Sequence, residues 1–178
     1  LTFVCTGVLL RGSERAGDVA AAAWGVAQRP DVDASRIVLA GWSHGSWSMM
    51  DLMTMNLERR GEAGLTDPQT ARPVVEGVVG LGLFYPYVGP GALSRTRSWV
   101  RHPPVLAVIA RDDHLTSDAN ARNIHGRVAR DGTEVEIWTA DGTHAFDEPS
   151  AGGLSPMRYD PDLTRESERR FAAFLGGF

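Results

Sequence analysis

A serine that could act as a nucleophile is the first chemical feature of the sequence. Residues 41–45 read Gly-Trp-Ser-His-Gly and fit the pattern G-x-S-x-G. They follow an apolar segment at 36–41 that is typical of a buried strand, and they precede a segment of helical length. In that context the pattern predicts a tight turn that exposes the Ser43 hydroxyl and aims the backbone N–H of His44 at an oxyanion. A glycine turn without a catalytic role is the alternative.

Five histidines could supply the general base that a serine nucleophile needs. His144 follows the last predicted strand, at the sheet edge where ligand sites of parallel sheets lie. His114 directly follows the preceding strand and is the rival candidate. His102 precedes a strand and so belongs at the opposite end of the sheet, and His125 lies in a predicted helix, where we expect exposure to solvent. His44 adjoins the nucleophile, so its side chain is directed elsewhere.

A carboxylate is needed to orient the histidine and to stabilise its imidazolium form. Asp112 and Asp113 both follow the strand predicted at 105–110. Because adjacent side chains in a loop point apart, one of the two can reach His144, and the spacing alone does not choose between them. The acidic and histidine residues here could also bind a metal, but they lack the spacing of a zinc or calcium motif, so we expect none.

The elements that must position these residues alternate along the chain. Apolar runs predict strands at 36–41, 74–84 and 105–110, and an alternating pattern predicts one at 134–139. Helices are expected at 14–28, 44–57, 117–130 and 161–175. This order predicts an α/β fold with a mostly parallel sheet and crossover helices, whose strand ends bring the candidate residues together.

Composition excludes several classes of function. The chain has 178 residues, which fits a single domain over 1–178, and a formal net charge of -4. All 18 cationic side chains are arginines, so P-loop, Schiff-base and Ser-Lys chemistry have no lysine to use. The acidic balance argues against nucleic acid, and no apolar run is long enough to span a membrane. We therefore expect a soluble protein, with its compartment and oligomeric state left open.

Several segments together resemble the dienelactone hydrolase family of α/β-hydrolases. They are residues 41–45, Phe-Tyr-Pro at 84–86, His-Ala-Phe-Asp-Glu-Pro at 144–149 and Tyr-Asp-Pro at 159–161. The resemblance runs from about residue 11 to the C terminus. It implies an α/β-hydrolase fold, a triad of Ser43, Asp113 and His144, no cofactor, and hydrolysis of a small-molecule ester or lactone. It also places Asp112 at a variable position.

Two departures from the family pattern shape these expectations. Well-known members use cysteine where this chain has Ser43, which makes the chain closer to esterase-like members. The family also places several strands before the nucleophile, so we expect the N-terminal part of the sheet to be missing or shortened and the chain to be a C-terminal portion of a longer domain. Residues 1–5 could supply one short strand. The missing strands would carry the second oxyanion amide.

The pocket and the competing functions complete the sequence-based expectations. Trp42, Tyr85 and Tyr87 are candidates for lining the substrate pocket, although aromatic residues beside a proline are also ordinary packing residues. A serine peptidase of the prolyl oligopeptidase type would share the turn and the triad order. A truncated, non-catalytic module that binds a partner is the third possibility.

Overall fold

The fold is a four-stranded parallel sheet with five helices, as described for residues 11–153 and 155–178 of a computed structural model. The helices are α1 (Gly12–Ala27), α2 (His44–Met53), α3 (Arg72–Glu76), α4 (Asp118–Arg130) and α5 (Pro161–Leu175). The strands are β1 (Val38–Trp42), β2 (Gly80–Phe84), β3 (Val105–Asp112) and β4 (Val135–Thr143). The expected α/β class and parallel sheet are confirmed.

The sheet order is β1-β2-β3-β4, and all neighbouring strands are parallel. The carboxyl ends of the four strands therefore meet at one edge, where Ser43, Tyr85, Asp113 and His144 follow them. Among the described residues β1 pairs with β2 alone and forms one side of the sheet. The short strand expected within residues 1–5 lies outside the described residues.

Two expected segments differ from the structure. The apolar run at 74–84 was expected to be one strand, but it contains the end of α3 and then β2, with Gly77 ending the helix. A mostly apolar run can hold a helix as well as a strand, and here the exposed Glu76 and Gly77 divide the two. The helix expected at 44–57 ends at Met53, where the Thr54 backbone N–H bonds to the carbonyl oxygen of Asp51.

Alternating residues of the central strands face two separate cores. One face of the sheet packs against residues of α1 to α4, and its buried strand residues are Leu81, Leu83, Val105, Ala107 and Ile109. The other face contributes Phe84, Leu106, Val108, Ala110 and Ala140, which pack with Phe146 and with aromatic residues of α5. Successive side chains of a strand point to opposite faces of the sheet, so the central strands contribute to both cores. The two cores together support the sheet beneath the loops that follow its strands.

Helix α5 has the bounds that the sequence predicts. Asp160 caps it, since its side chain accepts hydrogen bonds from the backbone N–H groups of Asp162 and Leu163, and Pro161 occupies the first turn. Gly82 in β2 allows the helix to approach, because a Cβ there would lie 2.6 Å from the ring of Phe171. Within the part of the chain that the structure describes, no helix is both long and apolar enough to cross a membrane.

Candidate active site

Ser43 occupies a strained turn between β1 and α2. Its backbone has φ 50° and ψ -111°, a region that residues with a Cβ rarely adopt. The turn is held by the Ser43 N–H, which donates to the carbonyl oxygen of Phe84 at 2.9 Å, and by the first helical bond from the Trp47 N–H. Ser46, which is fully buried, accepts a hydrogen bond from the Phe84 N–H at 3.1 Å. These bonds fix the serine above the ends of β1 and β2.

The two glycines of the pattern contribute differently to this turn. A Cβ on Gly41 would lie 2.8 Å from the backbone of both Gly45 and Ser46, so the close approach of strand and helix requires glycine there. A Cβ on Gly45 would meet nothing within 4 Å. The close approach of strand and helix therefore requires a small residue at Gly41 and not at Gly45.

His144 lies between Ser43 and Asp113 and is within hydrogen-bond distance of both. Its Nε2 is 2.7 Å from the Ser43 Oγ, and its Nδ1 is 2.6 Å from the Asp113 Oδ2. The side chains of His144 and Asp113 are 3% and 1% exposed. Since a carboxylate accepts only, this geometry places a proton on Nδ1 and leaves Nε2 to accept the serine proton.

The carboxylate of Asp113 is fully engaged. Its other oxygen, Oδ1, accepts hydrogen bonds from the backbone N–H groups of Leu115 at 2.8 Å and Thr116 at 3.2 Å. These bonds fix the orientation of the carboxylate toward His144. Asp112, the alternative acid, ends β3 as an exposed residue.

None of the other histidines takes the place between Ser43 and Asp113. His114 is exposed, with its ring centre 6.1 Å from that of His144. His102 lies before β3, as expected, and its Nδ1 is 2.8 Å from the Thr133 hydroxyl. The expectation that His125 is solvated is wrong, because this residue is fully buried on α4. His44 packs edge-on against Trp47, with ring centres 5.2 Å apart.

The backbone N–H of His44, the expected oxyanion donor, belongs to the first residue of α2. The N terminus of a helix carries a partial positive charge, which favours a developing oxyanion nearby. Within residues 11–153 and 155–178, no three His, Cys, Asp or Glu side chains are grouped so that they could hold a metal ion.

Sequence reasoning missed Asp147, which connects two of the expected pocket residues. Its Oδ2 accepts a hydrogen bond from the Trp42 indole N–H at 2.8 Å, and its Oδ1 accepts one from the Tyr85 hydroxyl at 2.6 Å. Trp42 also stacks on Phe84, and Tyr85 is 4% exposed. Both side chains therefore support the loop that carries His144, which is the packing role that the sequence left open beside a place in the pocket wall.

Tyr87, the third expected pocket residue, is more accessible and belongs to a row of aromatic rings. Its ring centre lies 4.7 Å from that of Trp47.

The Trp47 indole N–H donates to the buried carboxylate of Asp51, which also accepts from the backbone N–H of Leu93. Burial raises the pKa of Asp51 to about 6, and the hydrogen bonds to it oppose that rise.

Solved structures share this architecture. A dienelactone hydrolase-like promiscuous phosphotriesterase from metagenomic libraries has 18% identity and a TM-score of 0.65, over 93% of this chain and 61% of its own. The apo form of Thermogutta terrifontis esterase 2 has 18% identity and a TM-score of 0.66, over 99% of this chain and 69% of its own. Porphyromonas gingivalis dipeptidyl peptidase 4 has 16% identity and a TM-score of 0.61, over 93% and 23%.

These likenesses show that the chain has the α/β-hydrolase fold. The expected resemblance to dienelactone hydrolase-like proteins is confirmed at the level of the fold. No protein-family model matches the chain, and no curated protein matches it. The chain spans 61% of the length of the phosphotriesterase.

Proposed function

We propose that the chain is a serine hydrolase that cleaves small carboxylic esters or lactones through an acyl intermediate on Ser43. The observation that carries this proposal is the continuous hydrogen-bonded line from Ser43 through His144 to Asp113, with contacts of 2.7 and 2.6 Å. A line of this kind is the arrangement by which serine hydrolases activate a hydroxyl that is otherwise a weak nucleophile.

In the proposed reaction the Ser43 oxygen attacks the ester carbonyl while His144 Nε2 takes the hydroxyl proton. The carbonyl π electrons move to oxygen, and the backbone N–H of His44 stabilises the resulting oxyanion. His144 then gives its proton to the leaving alcohol as the C–O bond breaks. Water repeats these steps on the acyl-serine. Asp113 holds the imidazole in the required tautomer and stabilises its charged form throughout. No cofactor takes part.

A fluorophosphonate probe, which phosphonylates an activated serine, tests this proposal directly. Thermogutta terrifontis esterase 2 is described as phosphorylated by paraoxon, which supports an organophosphorus reagent as the probe. We expect the wild-type chain to be labelled and Ser43→Ala to remain unlabelled. Folded wild-type protein that takes no label would refute the hydrolase proposal and favour a non-catalytic module.

Matched substitutions test the assignment of the acid and the base. With a short p-nitrophenyl ester, we expect Asp113→Asn to lower kcat by about 10⁴, as loss of the acid does in such triads, and Asp112→Asn to leave it unchanged. His144→Ala should abolish turnover and His114→Ala should not. Loss of turnover in Asp112→Asn or His114→Ala alone would reverse the respective assignment.

A serine peptidase is the second candidate function. Its support is the likeness to dipeptidyl peptidase 4, which covers 93% of this chain at a TM-score of 0.61. Parallel assays with p-nitrophenyl acetate and with a proline-containing peptide p-nitroanilide would discriminate the two. The esterase proposal expects ester turnover with no peptide cleavage, and preferential cleavage of the peptide would establish the alternative.

A further inference from the structure

We propose that Asp147 is a positioning residue for the Ser43–His144 pair, because its carboxylate joins the loop of the histidine to the turn of the serine. This inference rests on the proposed function, since the pair that Asp147 positions is the proposed nucleophile and base. Asp147 itself touches neither Ser43 nor the substrate in the proposed reaction, so its effect passes through Trp42 and Tyr85.

The contacts of Asp147 connect loops after three strands. Trp42, which donates to Oδ2, ends β1 directly before Ser43. Tyr85, which donates to Oδ1, directly follows β2. Asp147 itself lies three residues after His144, in the loop after β4. These partners are 105 and 62 residues away in sequence, so the carboxylate fixes long-range geometry that no local hydrogen bond could fix.

Tyr85 transmits this restraint to the imidazole. Its ring lies edge-on to that of His144, with centres 4.8 Å apart, and also contacts Phe146 at 5.8 Å. A hydroxyl held by Asp147 keeps this ring in one rotamer, and the ring then limits the rotation of the imidazole between Ser43 and Asp113. Burial, followed by the negative charge of Asp147, raises the pKa of Tyr85, so its hydroxyl stays a donor at every working pH.

The backbone around the carboxylate needs such a restraint. Ser43, Tyr85 and Ala145 all have positive φ, at 50°, 34° and 55°, although none of them is glycine. Conformations of this kind persist where the surrounding structure over-determines them. Asp147 joins the loops that contain all three, and it is therefore placed to keep Ser43 and His144 at hydrogen-bond distance.

Asp147→Asn tests the proposal with almost no change in volume. Both partners of Asp147 are hydrogen-bond donors. The amide NH₂ group that replaces one carboxylate oxygen cannot accept a hydrogen bond, so one of the two donors loses its acceptor. With a short p-nitrophenyl ester we expect kcat to fall about tenfold or more while KM changes less than about twofold, because small misplacements of reacting groups cost rate and not binding. The rate of fluorophosphonate labelling should fall by the same factor.

The matched control is Glu148→Gln, an adjacent exposed carboxylate that accepts from the Ser150 N–H and hydroxyl. We expect this variant to keep the wild-type kcat and labelling rate. A double-mutant cycle with Tyr85→Phe adds a test of the route. If Asp147 acts through Tyr85, the combined loss in labelling rate is clearly smaller than the product of the two single losses.

A measurement without turnover separates this proposal from the proposed function. The proton on His144 Nδ1, bonded to Asp113, is expected to give a low-field NMR signal that broadens or shifts in Asp147→Asn and stays in Glu148→Gln. Failure of the wild type to label would refute the hydrolase function, whereas the NMR comparison would still test positioning. If Asp147→Asn does not fold, Trp42→Phe and Tyr85→Phe are used in its place, since each removes one of the two donors to the Asp147 carboxylate. An unchanged signal and labelling rate in the folded variants would overturn the inference.

Discussion

His125 should make the protein sensitive to acid, and replacing it should remove that sensitivity. This histidine is fully buried on α4, and its Nδ1–H donates to the carbonyl oxygen of Ala121 at 2.8 Å. Its Nε2 has no hydrogen-bond partner within the described residues. Burial lowers the pKa of His125 from 6.5 to about 4, because the loss of solvating water disfavours the charged imidazolium.

The size of the effect follows from the difference between the folded and unfolded pKa values. Below pH 6.5 the unfolded chain binds a proton at this position, while the folded chain resists it until about pH 4. The stability contributed by neutral His125 is therefore complete above pH 6.5 and is lost as the pH falls toward 4. One pKa unit corresponds to about 1.4 kcal/mol. The loss is then about 2 kcal/mol at pH 5 and about 3 kcal/mol at pH 4.

Urea unfolding of wild type and His125→Leu at pH 7 and pH 5 measures this effect. Leucine is apolar and binds no proton, so the variant should gain about 2 kcal/mol relative to wild type between the two pH values. Asp51 acts in the opposite direction, since its pKa is raised to about 6, and the comparison between variants cancels its contribution. His102→Gln, at an exposed position, is the control. Equal pH slopes for wild type and His125→Leu would refute the reasoning.

Three further predictions concern the serine turn and the buried carboxylate behind it. Gly41→Ala should destabilise the protein by about 2 kcal/mol or more, because the added Cβ overlaps backbone atoms. Gly45→Ala, whose Cβ meets nothing, should be neutral or stabilise the protein by up to about 1 kcal/mol. Thermal unfolding of the two variants measures the difference. Ser43→Gly should be more stable than Ser43→Ala by about 1–2 kcal/mol, since glycine relieves the positive φ, and equal stability would mean that the turn is unstrained. Asp51→Asn should destabilise the protein by about 1–3 kcal/mol at pH 5, because its amide faces the Trp47 indole N–H. The cost of this substitution should be about 1 kcal/mol smaller at pH 7. The reason is that the stability which the raised pKa of Asp51 gives to the wild type is lost as the pH rises through 6. Urea unfolding of both proteins at the two pH values measures the difference.

Local signals in the sequence predicted most of the fold. Helix α5 begins and ends where the pattern places it, because Asp160 and Pro161 are strong start signals. The strand predicted at 74–84 was wrong in its first part, because the exposed Glu76 and Gly77 interrupt the apolar residues there and end helix α3. The exposure of His125 was wrong although a signal was present. The stripe of Ala121, Ile124 and Val128 on α4 is the buried face, and His125 occupies it.

Chain order and the family resemblance together predicted the candidate triad. Ser43, the pair Asp112 and Asp113, and His144 each lie at or after a strand end, which placed them at one sheet edge, and the resemblance to the dienelactone hydrolase family chose Asp113 over Asp112. The structure brings Ser43, His144 and Asp113 within hydrogen-bond distance. Asp147 could not be found in this way. Its partners are 62 and 105 residues distant, and nothing in its neighbours indicates that they are an indole and a phenol.

The distribution of backbone strain favours a site that is shaped for chemistry over one shaped for stability. Three of the four non-glycine residues with positive φ within the described chain follow strand ends at this edge, and each carries a cost of about 1–3 kcal/mol. At Ser43, a turn that served packing alone would gain stability from glycine, which adopts positive φ without strain. Ser43 can present its hydroxyl to His144 only from the strained turn, and the hydrogen bonds from the N–H groups of Ser43 and Tyr85 to neighbouring strands offset part of that strain. The rigid sheet with its two cores therefore supplies the free energy that keeps these loops in place.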